Sequence, residues 1–527
     1  MQRSKFWFLK CIFAFLFLIF DSSYSQVYRP GDWVSYVDSR YITSIASDLK
    51  TIYFGIPEGI LRFDRLTENW EDPITHLGGG SVRLIAVDPI SLEPWFLTEE
   101  AMAIYNPLSY NFKYYTSLGD ISPKEVESIG MNLDGVWVEG GSKMARFDRM
   151  RREWESVASF PDEIEWFGKR SPDSLNQYRF LTPFKVKDKK FREYPITALK
   201  RDERDLWVGT WGYGIFRYSL NTYLGEHIPY GLAHSNASAM AKEGKDLWFG
   251  GSGVTLWRQG EGGEGGWDNL DPDLFPEGVT SILPEPFSTD SVKSSRGRRV
   301  WFGTPHGLIR YEEESGFWKV FSKFHGLPDP AVTVLSMDGE EIWIGTRKGL
   351  GNISRTGERI LSLPELKKLE INDLLVQPDF LWAATSSGVL ILNKKEGKWG
   401  ILDDPDGNTG FGTISIEGDG EIVWFGTRLG LLAYDTKEKR WDRFSSEVFL
   451  PNREINDIEA DAENLWVGTN DGVARYRKKE GRWQIYTTTD GLLSNIVNAV
   501  LLDGDYVFFG TPKGVTRFYW KDPFLRR

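Results

Sequence analysis

The stretch Leu465-Trp-Val-Gly-Thr469 decides the fold, because close copies of it recur along most of the chain. The other clear copies are Leu206-Trp-Val-Gly-Thr210, Val300-Trp-Phe-Gly-Thr304, Ile342-Trp-Ile-Gly-Thr346 and Val423-Trp-Phe-Gly-Thr427. More divergent copies are centred on Tyr53, Trp95, Trp137, Tyr178, Trp248, Trp382 and Phe508. Self-similarity at a fixed period indicates a repeat protein, and here it gives twelve units, most of them 39 to 42 residues apart.

Each unit carries three further signals at fixed distances from its central aromatic residue. A short β-type phrase precedes it, as in Ile42-Thr-Ser-Ile45, Val279-Thr-Ser-Ile282, Ile371-Asn-Asp-Leu374 and Ile455-Asn-Asp-Ile458. A glycine usually follows six residues later, where a hairpin turn favours positive φ, and a second aromatic residue follows after seventeen. Four short strands with their turns need about 40 residues. The repeat is therefore predicted to be one four-stranded antiparallel sheet, with strands a to d running from the centre outward.

The inner strands are apolar at many successive positions, so a single sheet could not bury both of its faces. A closed ring of sheets buries them and leaves no terminal face. The glycine two residues after the central tryptophan, Gly468 and its equivalents, is expected to let the neighbouring sheet approach closely. The fold class is thus predicted as all-β, a β-propeller of about twelve four-stranded blades, in which most of the 22 tryptophans are packing residues.

The two ends of the repeat region predict how a ring closes. The last unit ends with strand c, Gly514 to Phe518, while an orphan strand d, Asp32-Trp-Val-Ser-Tyr36, precedes the first unit. An N-terminal strand can then complete the last blade of its ring. Because propellers typically have four to eight blades, two tandem propellers are predicted, at 26–258 and 267–527, separated by the glycine-rich residues 259–266. A division into five and seven blades stays open.

The N-terminus has the pattern of an export signal. Three basic residues at positions 3, 5 and 10 precede or open a short apolar run at 11–20, and small residues at 23 and 25 suit cleavage after Ser25. We therefore expect a signal peptide at 1–25 and a secreted or periplasmic protein, without the single cysteine, Cys11. Removing three basic residues and one acidic residue takes the formal net charge from −12 to −14. This charge argues against nucleic-acid partners, and no later apolar run is long enough for a transmembrane span.

The phrase Leu-Trp-Val-Gly-Thr-x-x-Gly-x-x-Arg-Tyr, followed by a Trp-x-x-Tyr strand and the loop Asp490-Gly-Leu-Leu-Ser-Asn495, resembles the two-component regulator propeller repeat. The resemblance covers residues 30–520 and implies paired propellers. Such repeats occur in periplasmic sensor regions of hybrid two-component systems, where they take part in sensing extracellular glycans, and in some secretion-associated exported proteins. Unlike those sensors, this sequence ends at Arg527 without a membrane span, kinase or DNA-binding region, so we expect it to need a partner for signalling.

Loops on a rigid scaffold are where function concentrates, so the turns between strands b and c are the predicted ligand site. Trp211 and Tyr213 lie in such a turn, away from the packing positions, and could stack on a sugar or anchor a protein. Turns of the second ring carry a basic cluster predicted to bind an anionic group, such as a uronic acid, a sulfated glycan or an acidic protein segment: His306, Arg347, Lys348, Arg428 and Lys513. Alternatively, these tips are simply solvated and Trp211 covers a neighbouring loop.

Catalytic signatures are missing from the sequence. Its five histidines form no HxH or HExxH pattern, and no glycine-flanked serine motif is found. We therefore expect no catalytic residue, no cofactor and no metal, and predict a non-catalytic module that binds a glycan or an extracellular or periplasmic protein. Two alternatives stay open. One is a propeller-fold polysaccharide lyase or hydrolase, which two converging carboxylates would favour. The other is a component of an envelope or secretion assembly, which a broad exposed apolar face would favour.

Overall fold

The computed structural model describes residues 31–521 except 76, 78–79, 108, 110, 172–174, 260–265, 271, 287–297, 403, 405–406, 408, 445–449 and 451–453. The signal peptide expected at 1–25 lies outside the described residues. Within them the chain forms antiparallel strands in eleven sheets, which we call blades 1 to 11. Helix is confined, in the same residues, to short 3-10 turns at Pro123–Glu125, Leu175–Gln177, Arg179–Leu181, Pro272–Leu274, Lys323–His325, Pro364–Leu366 and Thr409–Phe411.

Blades 1 to 4 follow the first strand, β1 (Trp33–Tyr36). Blade 1 comprises β2 (Ser44–Ser47), β3 (Thr51–Ile56), β4 (Gly59–Asp64) and β5 (Asn69–Ile74). Blade 2 comprises β6 (Leu84–Val87), β7 (Pro94–Leu97), β8 (Met102–Asn106) and β9 (Asn111–Tyr115). Blade 3 comprises β10 (Ser128–Met131), β11 (Val136–Gly140), β12 (Lys143–Asp148), β13 (Glu153–Ser156) and β14 (Glu165–Gly168). Blade 4 comprises β15 (Lys185–Lys187), β16 (Glu193–Asp202), β17 (Asp205–Thr210), β18 (Ile215–Ser219) and β19 (Gly225–Ile228).

The remaining blades are four-stranded. Blade 5 comprises β20 (Ala239–Glu243), β21 (Asp246–Gly250), β22 (Val254–Arg258) and β23 (Gly266–Asn269); blade 6 comprises β24 (Ser281–Pro284), β25 (Arg299–Thr304), β26 (Gly307–Glu312) and β27 (Phe317–Phe321). Blade 7 comprises β28 (Val332–Asp338), β29 (Glu341–Thr346), β30 (Gly349–Ser354) and β31 (Leu361–Ser362); blade 8 comprises β32 (Ile371–Val376), β33 (Phe380–Thr385), β34 (Gly388–Asn393) and β35 (Lys398–Ile401). Blade 9 comprises β36 (Thr413–Asp419), β37 (Ile422–Thr427), β38 (Gly430–Asp435) and β39 (Arg440–Phe444); blade 10 comprises β40 (Ile455–Ala460), β41 (Asn464–Thr469), β42 (Gly472–Arg477) and β43 (Arg482–Tyr486). Blade 11 comprises β44 (Ala499–Asp503), β45 (Tyr506–Thr511), β46 (Gly514–Tyr519) and, as its outer strand, β1.

The Gly-Thr-x-x-Gly phrase forms the turn between strands b and c. In blade 10, Thr469 Oγ1 donates a hydrogen bond to the carbonyl oxygen of Gly472 at 2.8 Å and accepts one from the amide of Asp471 at 3.1 Å. Gly472 has a φ of +115°, and a Cβ there would lie 2.5 Å from the Tyr486 carbonyl oxygen. The predicted positive φ is confirmed at five equivalent positions, Gly307, Gly349, Gly388, Gly430 and Gly514.

Neighbouring blades are joined by two hydrogen bonds from the phrase that precedes the central tryptophan. In blade 8, Asn372 Nδ2 donates to the Thr413 carbonyl of blade 9 at 2.6 Å, and Asp373 accepts from the Ile416 amide at 2.8 Å. Blade 10 repeats both bonds to blade 11 through Asn456 and Asp457, at 2.9 and 2.7 Å. Thr or Ser makes one or both of these bonds on several other blades, through Ser44, Thr197, Ser238, Thr280, Ser281 and Thr333. The Ile-Asn-Asp-Leu phrase therefore links one blade to the next as well as forming a strand.

These links and the contacts between inner strands arrange the blades in two rings. In the first ring the inner strands of blades 1, 2 and 3 are in contact, the Ile42 amide donates to the Thr210 carbonyl of blade 4 at 2.9 Å, and Lys200 of blade 4 lies 3.5 Å from Glu165 of blade 3. Blades 5 to 11 form the second ring, which closes where the Ala237 amide donates to the Thr511 carbonyl at 2.8 Å. The N-terminal strand β1 completes blade 11 by pairing with β46. The sequence prediction that an N-terminal strand completes a last blade is thus confirmed.

Two details of the predicted division differ from the structure. Residues 259–266 were expected to separate two domains, at 26–258 and 267–527, but β22 and β23 on either side of them pair within blade 5, with Trp257 opposite Trp267. The Tyr178 unit, in addition, forms no blade: Tyr178 is buried beside a 3-10 turn, and Trp166 lies on β14, which pairs with β10 as a fifth strand of blade 3. Only 29 residues separate Tyr178 from Trp207, too few for four strands and their turns.

An aromatic column joins the two rings. Trp70 of blade 1 stacks on Tyr230 with ring centroids 4.4 Å apart, and Tyr230 packs edge to face on Trp267 of blade 5 at 5.6 Å. Trp267 in turn stacks on Trp257 at 5.1 Å, and Tyr36 of β1 contacts both of these tryptophans. Residues of blades 1, 4, 5 and 11 share one hydrophobic cluster here, so the rings meet through a continuous core.

Replacing Gly345 by alanine should destabilise the second ring. A Cβ at this position would lie 2.5 Å from Val334 Cγ1 and 2.9 Å from Ile371 Cγ2 of the next blade, and overpacking of this kind costs about 1–3 kcal/mol. Urea-induced unfolding measures the loss. The matched control is Gly400→Ala on β35, where nothing lies within 4 Å of the added methyl group. Equal stability of the two variants would contradict this packing of blade against blade.

Candidate functional site

The seven residues predicted to bind a ligand all lie in turns between strands b and c. Trp211 directly follows β17 and packs edge to face on Tyr41, with ring centroids 5.0 Å apart, yet 46% of its surface stays exposed. Tyr213, two residues further on, is half-buried. The turn thus places one of its two aromatic side chains against Tyr41 and the other against residues of its own blade.

Tyr213 forms the centre of an aromatic stack. Its ring lies 4.9 Å from Tyr194 of β16 and 4.6 Å from His227 of β19, at interplanar angles of 22° and 12°. His227 Nε2 lies 2.9 Å from the Tyr213 carbonyl oxygen, which fixes the histidine against the turn. Two strands of blade 4, β16 and β19, and the turn between β17 and β18 therefore form an aromatic wall.

A cavity of about 610 Å³ opens beside this wall, between the two rings. Blade 4 contributes Tyr194, Tyr213 and His227 to its lining, and the aromatic column contributes Tyr230 and Trp267. This volume is within the usual range of ligand pockets, which combine apolar walls with a few polar groups. Trp211 is not among the residues that line the cavity.

Basic side chains border the same cavity. Arg40, Lys189, Lys190 and Arg192 contribute to its lining, together with two carboxylates, Asp188 and Asp268. Asp188 pairs with Arg192 at 2.6 Å, and Arg192 and Lys190 also contact Asp273. Arg40 is held by Asp38 at 2.7 Å. Three of the four cations are thus held by carboxylates around the aromatic wall: Arg40, Lys190 and Arg192.

The protonation of His227 follows from its position in the stack. Burial lowers the pKa of this imidazole, and the charge of nearby Lys189 lowers it further, although the hydrogen bond to Tyr213 opposes the shift. Burial likewise raises the pKa of Tyr213 and of Tyr194. All three rings are therefore neutral at pH 7, which suits stacking on an uncharged ring face.

Sequence reasoning identified Tyr213 but missed its partners. Tyr194, His227, Arg40 and Arg192 belong to the irregular fourth blade and to the segment after β1, where the repeat gives no fixed position. The short spacing of 29 residues between Tyr178 and Trp207 was the available signal.

The five basic-cluster residues of the second ring lie on four separate blades. His306 Nε2 is 2.9 Å from Glu277, and Lys348 Nζ is 4.0 Å from Asp329. Arg347 and Arg428 occupy the equivalent turns of blades 7 and 9. Lys513 lies near Glu58 of blade 1; burial raises the pKa of Glu58, and the charge of Lys513 opposes this rise. None of the five lines the cavity between the rings.

A cluster of carboxyl groups lies on the inner strands of blades 8, 9 and 10. Burial raises the pKa of Asp373 to about 7, of Glu417 to about 8 and of Asp457 to about 6, and the charges of neighbouring carboxylates add to the shift of Asp373 and Glu417. Burial also raises the pKa of Glu459, beside Glu417. Asp373 and Asp457 are the residues that link these blades to the next. Nothing in the sequence pattern distinguished Glu417 and Glu459 from other strand residues.

Neither a metal-binding cluster nor a membrane-spanning helix is found among the described residues. No group of three or more histidine, cysteine, aspartate or glutamate side chains within 31–521, its gaps aside, could hold a metal ion. In the same part of the chain, no helix has the length and apolar character needed to cross a membrane.

Comparison with known proteins finds similarity to solved structures of an extracellular domain and of a bacterial surface component. No family model matches it, and no curated protein matches it. The extracellular domain of the putative hybrid two-component system BT3049 from B. thetaiotaomicron is 18% identical, with a TM-score of 0.45, over 92% of this chain and 82% of that one. PorZ, an essential surface component of the type-IX secretion system of Porphyromonas gingivalis, is 13% identical, with a TM-score of 0.46, over 91% and 74%.

The carboxyl cluster should make stability fall as the pH rises. Folded-state pKa values of about 6 to 8 for Asp373, Glu417 and Asp457 exceed the ordinary values near 4. The folded chain then holds more protons than the unfolded chain between about pH 4 and 8, so its free energy of unfolding decreases across that range. We expect Glu417→Gln to remove on the order of 2 kcal/mol of this decrease, measured by urea unfolding at pH 5 and pH 8.

The matched control for this prediction is Glu421→Gln, because Glu421 is an exposed carboxylate between β36 and β37. Its replacement should leave the pH dependence unchanged. A Glu417→Gln variant with the wild-type pH dependence would show that Glu417 is ionised in the folded protein at neutral pH.

Proposed function

We propose that the chain is an exported, non-catalytic double propeller that binds an acidic glycan in the cavity between its rings. The aromatic wall of Tyr194, Tyr213 and His227, bordered by four basic side chains, carries this proposal. A flat aromatic surface packs on the apolar face of a sugar ring, and guanidinium and ammonium groups at its edge pair with carboxylate or sulfate groups. The ligand class is therefore a uronic-acid or sulfated glycan.

The export signal and the propeller architecture support an extracytoplasmic sensing role. The sequence predicts a secreted or periplasmic chain after cleavage near Ser25. A pocket between two rings that share one hydrophobic cluster is preformed, which limits the ordering cost of binding. A sensing role would also require a protein partner whose binding to this chain depends on whether the cavity holds a ligand.

Replacing Tyr213 by alanine should weaken binding of an acidic oligosaccharide by about tenfold or more, a loss of about 1.4 kcal/mol. The reason is that this ring stands between Tyr194 and His227 and is the centre of the wall. Isothermal titration with an oligogalacturonate and with its neutral methyl ester measures the effect. The neutral form should bind less tightly, and the difference should shrink at high salt.

Two matched variants accompany this titration. Tyr223→Ala removes an exposed tyrosine of the same blade that lies outside the cavity, so affinity should not change. The double substitution Arg347→Ala with Arg428→Ala removes two cations from turns of the second ring. Unchanged affinity would show that those turns do not contribute to ligand binding in the cavity. Equal affinity of wild type and Tyr213→Ala for every acidic glycan tested would contradict the proposed site.

The carboxyl cluster favours a second candidate function, cleavage of a polysaccharide. Glu417 and Glu459 lie on adjacent inner strands, and burial raises the pKa of both, as a general acid requires. Neither side chain lines the cavity between the rings, so a substrate bound there would not reach them. For this reason the binding function is preferred.

Reducing-sugar release from acidic polysaccharides distinguishes the two functions. The binding function predicts no release by the wild-type protein and none by Glu417→Gln. Release that is lost in both Glu417→Gln and Glu459→Gln, with folding intact by circular dichroism, would establish the enzyme instead.

A further inference from the structure

The turn between β15 and β16 contacts the second ring beside the cavity. Two of its residues, Lys190 and Arg192, line the cavity, and both contact Asp273. Asp273 lies in the 3-10 turn Pro272–Leu274, which follows blade 5 of the second ring. Its carboxylate accepts from Lys190 Nζ at 3.2 Å and from Arg192 Nη1 at 2.8 Å. One carboxylate of the second ring therefore holds two cations of the first ring.

The guanidinium of Arg192 is shared between two carboxylates that differ in exposure. Nε donates to Asp188 Oδ2 at 2.6 Å, and Nη1 donates to Asp273 Oδ1 at 2.8 Å. The Asp188 side chain is 4% exposed, whereas the Asp273 side chain is 58% exposed. Exposed ion pairs stabilise a protein little, because water solvates both groups when they separate. Asp273 is therefore the partner that another anion can replace.

Asp188 holds Arg192 in position independently of Asp273. Its Oδ1 accepts from the amides of Lys190 and Arg192, each at 2.9 Å, which orders the turn. Its Oδ2 accepts from Arg192 Nε and also from the hydroxyl of Tyr194, at 3.2 Å. Because one buried carboxylate bonds both the cation and a tyrosine of the aromatic wall, these two groups keep their positions relative to each other.

Asp273 offers the two cations the same chemical group that a uronic acid carries. A carboxylate accepts hydrogen bonds from guanidinium and ammonium groups through its two oxygens, and Asp273 uses one oxygen for each cation. Both cations line the cavity, but Asp273 does not. Asp273 therefore occupies two donors of the cavity lining without belonging to that lining.

Given the binding function proposed above, on which this inference rests, we propose that Asp273 competes with the ligand for Lys190 and Arg192. In the free protein Asp273 neutralises both cations. When an acidic glycan binds, its carboxylate or sulfate accepts the hydrogen bonds of the two cations, and the exposed Asp273 is solvated by water. Asp273 thus lowers the affinity for acidic ligands and leaves the affinity for neutral ligands unchanged.

Isothermal titration of the variant Asp273→Asn tests the proposal, with an oligogalacturonate and its neutral methyl ester as ligands. Asparagine keeps the size of the side chain and removes its charge. The acidic oligosaccharide should bind about threefold more tightly than it binds to wild type, because an exposed ion pair no longer has to be broken. The affinity for the methyl ester should stay the same, since an uncharged ligand does not displace Asp273.

Two further variants accompany this titration. Glu277 lies in the same segment, is 62% exposed and is 2.9 Å from His306, so Glu277→Gln removes the same charge without freeing Lys190 or Arg192. Its affinity for both ligands should equal that of wild type. The double variant Asp273→Asn with Arg192→Gln should bind the acidic ligand no more tightly than wild type does, and unchanged affinity for the methyl ester shows that its aromatic wall is intact.

Three results would overturn the competition by Asp273: unchanged affinity of Asp273→Asn for the acidic ligand, weaker binding of both ligands to that variant, or equal tightening by Glu277→Gln. The second would make Asp273 a structural link between the rings, and the third would assign the effect to net charge. In each case weaker binding to Tyr213→Ala still supports the cavity as the glycan site. If neither wild type nor Asp273→Asn binds an acidic glycan, the competition and the proposed function are both wrong.

Discussion

Hydrogen bonds from the first strand of one blade to the backbone of the next are the interaction on which the architecture depends. Each blade is a small sheet with two faces to bury, and it gains a fixed neighbour when a side chain such as Asn456 or Asp457 bonds the next strand. The glycine after the tryptophan complements these bonds, because its missing side chain lets a branched residue such as Ile371 pack against the sheet. Polar bonds fix the register between blades, and apolar packing excludes water from the interface.

The ring junction follows from how these links close. The chain passes from the first ring to the second after blade 4. The N-terminal strand β1 then forms the outer strand of blade 11 in the second ring. Residues on both sides of the crossing, including Tyr36, Tyr230 and Trp267, pack together, so the rings are joined by core and not by a loose linker. A pocket built at such a junction has walls from both rings, and blade 4 supplies its aromatic wall.

The repeat in the sequence was sufficient to predict the all-β propeller, the strand order, the turn glycines and the closing N-terminal strand. It was not sufficient to place the ring boundary, because a glycine-rich loop such as 259–266 can join two strands of one blade as readily as two domains. Tyr178 was wrongly counted as a blade centre: it precedes the 3-10 turn Arg179–Leu181, and the next centre, Trp207, follows too soon for four strands to lie between them. Tyr213 was predicted because it is an aromatic residue in a turn, outside the packing positions of the repeat. The fold of blade 4 brings Tyr194, His227 and Arg192 to the same cavity, and no fixed position in the repeat predicts them.

Closure of the second ring by β1 is the central claim, and an engineered disulfide tests it most directly. Ser35 and Thr516 face each other across β1 and β46, with their hydroxyl oxygens 3.0 Å apart, and the sequence has no cysteine other than Cys11. In the variant Ser35→Cys with Thr516→Cys we predict an intramolecular disulfide that raises the thermal midpoint of unfolding, an increase that a reducing agent reverses. A pair that stays reduced, or that links only separate molecules, would contradict the closed ring.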